Sequence, residues 1–388
     1  MQASFYQQLN EVLKNQGQGI PALVVDQASL DTNIAYAQQQ LGHLKPRLVV
    51  KSLESMPLIN YIAAKLNCQR FMVFHAPHLP LVLQQFPQAD ILLGKPMPIA
   101  AVRHFYQQYP QHKNTPIQWL VDSLERLQQY LQLAMQQQIR LQINIEIDIG
   151  LHRGGLQQPE KLQPLLQLIS QHPQCLKFSG LMGYDAHVSK IPAILQSLEK
   201  SYQQSQASYQ QFIDYIQQHF AWFNDGQLCF NGSGSPTFSL HCHQSVCNDI
   251  AFGSMLLKPT DFDITTLDQL KPALFIAAPV LKILPYSQLP GLSRLDKLLD
   301  QLPYRQKALF VYGGNWLADY VYPTGAKTNL LYGRSSNQEM VNVPKSCSIA
   351  TDDYVFLRPT QSEAIISQFS QLYIYDGSQL HAWNTFDA

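Results

Sequence analysis

The chain has 388 residues, of which 46% are hydrophobic, and its 27 Lys and Arg balance its 27 Asp and Glu. This length suits two domains that each bury a core, and the zero formal net charge argues against an electrostatic nucleic-acid partner. The six cysteines form no CxxC pair, and the sequence shows neither a signal-peptide pattern nor an apolar run of the roughly 18 residues that span a membrane. We therefore expect a cytoplasmic protein with reduced thiols and without membrane or nucleic-acid partners.

The first strand pattern is Pro21–Asp26, and a long alternation of short apolar runs and amphipathic segments follows it. Eight apolar, β-branched runs form this series: Arg47–Lys51, Phe71–His75, Asp90–Gly94, Ile117–Val121, Leu141–Ile147, Phe178–Tyr184, Leu228–Gly232 and Asp249–Leu256. Such short runs are typical of strands that are buried on both faces. The segments between them, such as Met56–Leu66, repeat their apolar residues with the period of a helix.

Eight strand–helix units predict an α/β fold with a (β/α)8 TIM barrel. A doubly wound sheet is the competing architecture, but no GxGxxG follows the first strand of the series.

Strand patterns recur after about residue 260 without helices between them, which predicts a second, C-terminal and mostly antiparallel β domain. These patterns are Ala273–Leu284, Lys307–Tyr312, Tyr354–Leu357 and Leu372–Tyr375. We place the barrel at residues 20–260 and the β domain at residues 261–388. Residues 1–19 and the strand Pro21–Asp26 are open to packing on the β domain.

Lys51 ends the first strand of the series, directly after Val49 and Val50. Barrel enzymes carry their catalytic groups on the loops that follow the strands. An amine at the end of an apolar strand is partly desolvated, which makes it a better nucleophile toward an aldehyde. The alternative is a lysine that only reaches solvent from the strand end.

Polar groups also follow the fifth and sixth strands of the series. Arg153 follows the fifth strand, where it can hold an anionic or electron-rich ligand group or form a salt bridge at the rim. Tyr184 and His187 follow the sixth strand and are candidate acid–base groups. Taken alone, His187 is more often a structural hydrogen-bonding residue.

The seventh and eighth strands are followed by small residues that suit a phosphate. Barrel phosphate sites are often built from these two loops, because glycines let the backbone approach and successive N–H groups bind an anion. An ordinary turn is the alternative. The candidate cofactor-binding residues here are Asn231, Gly232, Ser233, Gly234, Ser235, Gly253 and Ser254. A lysine and a phosphate nest in one barrel mouth suit pyridoxal 5'-phosphate, whose aldehyde takes an amine and whose phosphate takes N–H donors.

These motifs resemble the fold-type III pyridoxal-phosphate enzymes, the group with the alanine racemase N-terminal barrel. Within that group the D-threonine aldolase / D-serine dehydratase-like family is the most similar. The resemblance covers most of the chain and rests on PALVVD, the lysine of VKS, GLHRGG (similar to GxxRxG), GLMGYDAH (similar to GxxGYxGH) and NGSGSPT (similar to GGGTPT). It implies that Lys51 carries the cofactor as a Schiff base, that Arg153 and Tyr184 hold the cofactor ring or substrate, and that the protein is a homodimer.

The chain departs from the family at a metal site. Aldolases and dehydratases of the family usually hold a divalent metal through a His-x-Cys or His-x-Asp pair that follows a proline near the C-terminus. Gln361 and Glu363 occupy the matching positions after Pro359, and glutamine is a poor zinc ligand, so the departure argues against a metal. The segment His241–His243 together with Cys247 is a weaker alternative, in a loop where the family has no metal.

The sequence therefore predicts a pyridoxal-phosphate-dependent lyase that acts on a small β-hydroxy amino acid of D configuration, by aldol cleavage or by dehydration. Its predicted catalytic residues are Lys51, His187 and Tyr184. An amino-acid racemase of the same fold and a pyridoxal-phosphate-binding protein with little catalysis are the alternatives.

Overall fold

The computed structural model describes residues 3–192, 194–223, 227–285 and 307–386. The chain divides into two compact units. One contains Ile34–Met255 and Ile264–Asp268, and the other contains Met1–Asn33, Leu256–Asp263 and Gln269–Ala388. No helix of the described residues is long and apolar enough to cross a membrane.

In the described residues the helices are α1 (Ala3–Gln16), α2 (Gln27–Gln40), α3 (Met56–Leu66), α4 (His78–Gln85), α5 (Ile99–Gln108), α6 (Leu124–Gln137), α7 (Leu162–Gln171), α8 (Leu198–His219), α9 (Phe238–His243) and α10 (Ser254–Leu257). The strands up to the end of the barrel are β1 (Ala22–Asp26), β2 (Lys45–Val49), β3 (Arg70–Val73), β4 (Asp90–Leu93), β5 (Ile117–Val121), β6 (Leu141–Ile147), β7 (Leu176–Gly183), β8 (Cys229–Gly232) and β9 (Asp249–Phe252). The later strands are β10 (Leu274–Leu284), β11 (Lys307–Tyr312), β12 (Ala318–Tyr322), β13 (Lys327–Thr328), β14 (Gln338–Val343), β15 (Tyr354–Pro359), β16 (Gln371–Tyr375) and β17 (Leu380–Asn384).

The first unit is built on a closed barrel of the strands β2 to β9 in sequence order. Every neighbouring pair is parallel, and β9 closes the barrel on β2 with Lys45 opposite Asp249 and Leu48 opposite Phe252. Parallel strands of a barrel are covered on both faces, which explains the short continuous apolar runs. The predicted (β/α)8 barrel is therefore confirmed.

The end of β2 differs from the prediction. The strand stops at Val49, and Val50–Ser52 form one turn of 3-10 helix in which the Leu53 amide donates to the Val50 carbonyl at 3.0 Å. Lys51 therefore lies in the turn after the strand rather than at its last position. A barrel strand has to turn away toward its following helix, and this requirement outweighs the strand propensity of two consecutive valines.

A charged cluster lies inside the barrel, near the starts of β4 and β9. The fully buried Arg47 donates from Nε to Asp249 Oδ1 at 2.7 Å and pairs through Nη1 with Asp90 Oδ1 at 3.2 Å. Asn231 adds a hydrogen bond of 2.6 Å from Nδ2 to Asp249 Oδ1. The side chain of Asn231 therefore belongs to the barrel interior.

The second unit contains a nine-stranded sheet in which the N-terminal strand β1 lies between β10 and β16. Strand β1 pairs antiparallel with β10 and parallel with β16, which confirms that the PALVVD segment pairs with the C-terminal strands. The other pairs of this sheet are antiparallel, as predicted for this region. Helix α1, which the sequence analysis missed, packs Leu9 and Leu13 against Phe275 and Phe356.

Candidate active site

Lys51 lies at the carboxyl end of the barrel strands, in the turn after β2. Its Nζ is 4.8 Å from the centre of the Phe74 ring, and Phe74 directly follows β3. The next residue in the turn, Ser52, is hydrogen-bonded to Ser254 through their hydroxyl oxygens at 2.8 Å. The contact ties the turn that carries Lys51 to the loop after β9.

Gly253 allows these two segments to approach. A Cβ at this position would lie 2.9 Å from the Val49 carbonyl oxygen and 3.2 Å from Ser52 Cβ. Any larger residue would push the loop after β9 away from the Lys51 turn, because neither the backbone oxygen nor a short serine can move aside.

The loop after β8 meets the loop after β9 at Ser235. The Ser235 hydroxyl oxygen accepts hydrogen bonds from the amides of Met255 at 3.1 Å and Gly253 at 3.4 Å. Ser233 and Ser235 are both buried, and Ser233 has a left-handed φ of 70°. Among the predicted cofactor-binding residues, Ser235, Gly253 and Ser254 are therefore brought together beside the Lys51 turn.

Tyr184 lies against the same loop, and Arg153 lies over the Tyr184 ring. The guanidinium carbon of Arg153 is 4.9 Å from the centre of the Tyr184 ring. A Cβ on Gly234 would come within 2.5 Å of Tyr184 Cε2, so the ring lies directly against the loop after β8. An aromatic ring stacked on a guanidinium is held in orientation by the cation–π attraction.

His187 follows the same strand as Tyr184 but contacts a helix. Its Nε2 is 3.1 Å from the Ser205 hydroxyl of α8, and its buried Nδ1 has no hydrogen-bond partner within the described part of the chain. Burial lowers the pKa of His187 below its ordinary value, although the carboxylates of Asp185 and Asp148 act in the opposite direction. The ring is therefore neutral at neutral pH.

The structure reveals a buried pair that the sequence analysis missed. His241 Nε2 donates to Asp185 Oδ2 at 2.8 Å, and both side chains are fully buried. The Nδ1 atom of His241 is 2.7 Å from the Ser245 hydroxyl. Because both ring nitrogens are engaged, His241 is not available as a metal ligand in this arrangement.

Gln361 and Glu363, the weak metal candidates, lie in the second unit and take part in polar contacts. Gln361 Nε2 donates to Asp261 Oδ2 at 2.9 Å, and the Ser362 hydroxyl donates to Glu363 Oε2 at 3.3 Å. No group of three or more His, Cys, Asp or Glu side chains that could hold a metal occurs in residues 3–192, 194–223, 227–285 and 307–386.

Glu146 is a second group that the sequence analysis missed. It lies in β6, and burial together with the nearby Asp122 raises the pKa of its carboxyl above the ordinary value, against a lowering by Arg153. The signal was present in the alternation of Gln142, Asn144 and Glu146, because residues two apart lie on one face of a strand.

Replacing Glu146 by glutamine should stabilise the protein at neutral pH. The raised pKa means that the folded protein binds the proton more tightly than the unfolded chain, so wild-type stability falls as pH rises through that pKa. We expect a gain in the free energy of unfolding of up to about 1 kcal/mol at about pH 7.5, and almost none at about pH 4. Urea denaturation at both pH values measures it. An equal gain at both would contradict the assignment.

Comparisons with known proteins agree with this architecture. Solved structures similar to the chain include D-threonine aldolase from Filomicrobium marinum, at 14% identity and a TM-score of 0.73, covering 95% of this chain and 97% of that one. D-threo-3-hydroxyaspartate dehydratase from Delftia sp. HT23 matches at 16% identity and a TM-score of 0.70, with coverage of 95% and 97%. Alanine racemase from Clostridium difficile 630 matches at 16% identity and a TM-score of 0.70, with coverage of 94% and 98%.

At these identities the likeness shows a shared fold. A comparison with curated proteins gives no match. The sequence does match the family described as "Alanine racemase, N-terminal domain" over residues 25–260, which is more than half of the chain. This segment contains the whole barrel, the Lys51 turn and both loops that meet at Ser235. The chain therefore belongs to the alanine racemase N-terminal domain family, whose fold-type III members typically use pyridoxal phosphate.

Proposed function

We propose that this protein is a pyridoxal-phosphate-dependent lyase that acts on a small β-hydroxy amino acid of D configuration, with Lys51 as the residue that carries the cofactor. The observation that carries the proposal is the meeting of the Lys51 turn with the loops after β8 and β9 through the Ser52–Ser254 and Ser235–Gly253 contacts. A primary amine and a small-residue loop then lie together at the carboxyl ends of the barrel strands.

The residues present fit the cofactor. The amine of Lys51 suits the aldehyde, and the hydroxyl of Ser235, which accepts two amide N–H groups, keeps its own proton to donate to a phosphate oxygen. At Gly234 and Gly253 a Cβ would clash with Tyr184 and with Val49, so glycine is required where the backbone lines the loop. Bound pyridoxal phosphate would supply an aldehyde for amines and a ring that withdraws electrons from the substrate Cα.

The side chains of the site have separate roles in this proposal. Lys51 would hold the cofactor through Nζ, and its amine would move the proton at the substrate Cα. Tyr184, fixed between Arg153 and Gly234, orients the ring of the cofactor or the substrate. His187, whose ring is neutral at neutral pH, is the residue to which we assign proton exchange with the substrate β-hydroxyl.

Racemisation is the competing reaction, because alanine racemases share this fold. A racemase of this kind needs a second base, and tyrosines of the β domain are the candidates. Tyr320 is a poor base, since it donates to Glu339 Oε1 at 2.9 Å and burial raises its pKa. The third candidate function is a pyridoxal-phosphate carrier with little catalysis. The second unit, with its own nine-stranded sheet, argues against it, because binding the cofactor alone requires only the barrel.

A panel of D- and L-amino acids in deuterated water separates the three functions. A lyase releases an aldehyde with glycine, or a keto acid with ammonia, from a D-β-hydroxy amino acid. We expect this result for D-threonine, D-serine or D-3-hydroxyaspartate, and we expect a chelator to leave it unchanged. Interconversion of D- and L-alanine with label at Cα and no release of product would instead identify a racemase. Absence of turnover on the whole panel would identify a carrier.

We also propose that the protein forms a homodimer. The support is a group of exposed apolar side chains in the second unit, which includes Leu317, Leu330, Leu331 and Tyr332. Leu330, Leu331 and Tyr332 are consecutive in the chain, and exposed apolar patches often mark association sites. Sedimentation of the purified protein measures the mass, and a monomer at micromolar concentration would contradict the proposal.

A further inference from the structure

A fully buried hydrogen-bonded chain lies behind the loop after β8. His241 Nε2 donates to Asp185 Oδ2 at 2.8 Å, and the Thr237 hydroxyl donates to Asp185 Oδ1 at 2.7 Å. The Gly234 amide in turn donates to Thr237 Oγ1 at 3.3 Å. The chain therefore runs from an imidazole on α9, through a carboxylate after β7, to a backbone amide of the loop that we assign to phosphate.

The imidazole at the far end of this chain is itself held on several sides. Ser245 Oγ lies 2.7 Å from His241 Nδ1, and the same oxygen accepts the Cys247 amide at 3.0 Å. The ring of Tyr202 packs edge-on against His241, with 5.2 Å between the ring centres. Since Asp185 has no proton to donate, Nε2 has to be the protonated nitrogen. Asp185 is held through both of its carboxylate oxygens, one by Thr237 and one by His241.

The loop needs such a support. Ser233 adopts a left-handed φ of 70°, a conformation that serine does not favour. The following 3-10 turn, Ser235–Thr237, has only three residues, which is too short to be stable by itself. Its closing residue, Thr237, is fully buried and is the residue that Asp185 holds.

We propose that Asp185 and His241 are positioning residues for the cofactor phosphate: they fix Thr237, and through it Gly234, in the conformation in which the loop binds the phosphate. The inference rests on the proposed function, because it assumes that this loop receives the phosphate of pyridoxal phosphate. Both side chains are fully buried, and the contacts of Lys51 with Phe74 and of Tyr184 with Arg153 do not involve them.

The charges of the pair agree with this role. Burial raises the pKa of the Asp185 carboxyl. The adjacent His241 and the hydrogen bonds from His241 and Thr237 lower it by more than burial raises it, so the pKa lies below the ordinary value. The carboxyl is therefore ionised and accepts from two donors at once. An asparagine in its place would accept from only one of them, because its amide nitrogen is a donor.

The test compares pyridoxal phosphate with pyridoxal, which has the aldehyde and ring but no phosphate. Dissociation constants of both are measured by fluorescence quenching on the full chain after the cofactor is stripped. We expect Asp185→Asn and Thr237→Val to raise the dissociation constant of pyridoxal phosphate by about tenfold, which corresponds to one lost hydrogen bond to the loop. Pyridoxal affinity should change by less than about twofold. Thr237→Val keeps the side-chain volume, so the test does not depend on Asp185→Asn folding.

Two further variants serve as controls. Thr237→Ser retains the hydroxyl and should restore the wild-type affinity. His243→Gln changes an exposed neighbour of His241 and should leave both affinities unchanged. Equal weakening of both ligands, or unchanged affinity for pyridoxal phosphate in Thr237→Val, would overturn the inference.

The failure of the proposed function gives a different result. In that case the wild-type protein binds neither pyridoxal phosphate nor pyridoxal at Lys51, and borohydride traps no adduct there. If wild-type Lys51 is trapped while the Asp185 and Thr237 variants keep their selectivity for the phosphate, the function stands and only the positioning role is wrong.

Discussion

Replacing Lys51 by alanine is expected to abolish turnover, with a loss of at least roughly 10³-fold, because the change removes the amine to which we assign the cofactor aldehyde. The variant should also lose the visible absorbance of the protein-bound cofactor, while its free energy of unfolding changes little. A partly exposed side chain in a turn contributes little to packing, and its contact with Phe74 contributes about 0.5–1 kcal/mol. Absorbance spectra and steady-state rates on the substrate identified by the panel measure both effects.

Two matched variants test whether the loss of activity comes from the missing nucleophilic amine, from the missing charge, or from the removal of any lysine. Lys51→Arg keeps a cation over Phe74 but lacks a nucleophilic amine, and it should be as inactive as Lys51→Ala. Lys45→Ala removes an exposed lysine at the opposite end of β2 and should retain full turnover. Activity in Lys51→Arg would show that Lys51 serves as a charge, and would contradict its assignment as the cofactor lysine.

Replacing Arg47 by methionine is expected to lower the free energy of unfolding by about 3–5 kcal/mol, the usual effect of removing one partner of a buried ion pair. The change leaves Asp249 buried without its principal counter-ion, since Arg47 binds both of its carboxylate oxygens at 2.7 Å and 2.9 Å. Asn231 cannot compensate, because a neutral amide offers a dipole in place of a full charge. Chemical denaturation at neutral pH measures the loss.

Arg70→Met is the matched control for this prediction. Arg70 approaches the same acids, Asp90 and Asp249, at 3.5 Å, but its side chain is 34% exposed. A solvent-screened pair of this kind contributes less than about 1 kcal/mol. Similar losses in Arg47→Met and Arg70→Met would mean that burial inside the barrel does not set the strength of these pairs.

The barrel could be predicted because eight short strand patterns rich in apolar and β-branched residues recur and the segments between most of them are amphipathic. The second unit was harder to predict. Its short strand β13 and the polar strand β14 carry little pattern of their own, and they are defined by pairing with β11 and with each other. Helix α1 was missed because its short apolar stripe of Tyr6, Leu9 and Leu13 is a weak pattern by itself. The stripe is buried only by the sheet that the helix packs against.

At the site, residues that are close in sequence were easier to predict than residues that are close in space. The loops with Ser235, Gly253 and Ser254 follow strands and could be placed at one mouth. Asn231 was grouped with the glycine loop because it precedes Gly232, but the alternation of β8 directs it with Cys229 into the barrel, where the two contact Asp249 and Arg47.

The Asp185–His241 pair had no local signal. The two residues are separated by 56 positions, and only the folded barrel brings the end of β7 to the helix α9. The sequence placed His241 in a cluster with Cys242, His243 and Cys247 because histidines and cysteines close in sequence resemble a metal site. In the structure, both ring nitrogens of His241 are hydrogen-bonded instead, to Ser245 and to Asp185.

The proposed function depends most on the identity of the lysine that carries the cofactor. The direct measurement is to load the wild-type protein with pyridoxal phosphate, reduce it with borohydride and map the modified peptide by mass spectrometry. We expect a single phosphopyridoxyl group on Lys51, at close to one equivalent per chain. Modification of another lysine, or none above the level of Lys51→Ala, would contradict it.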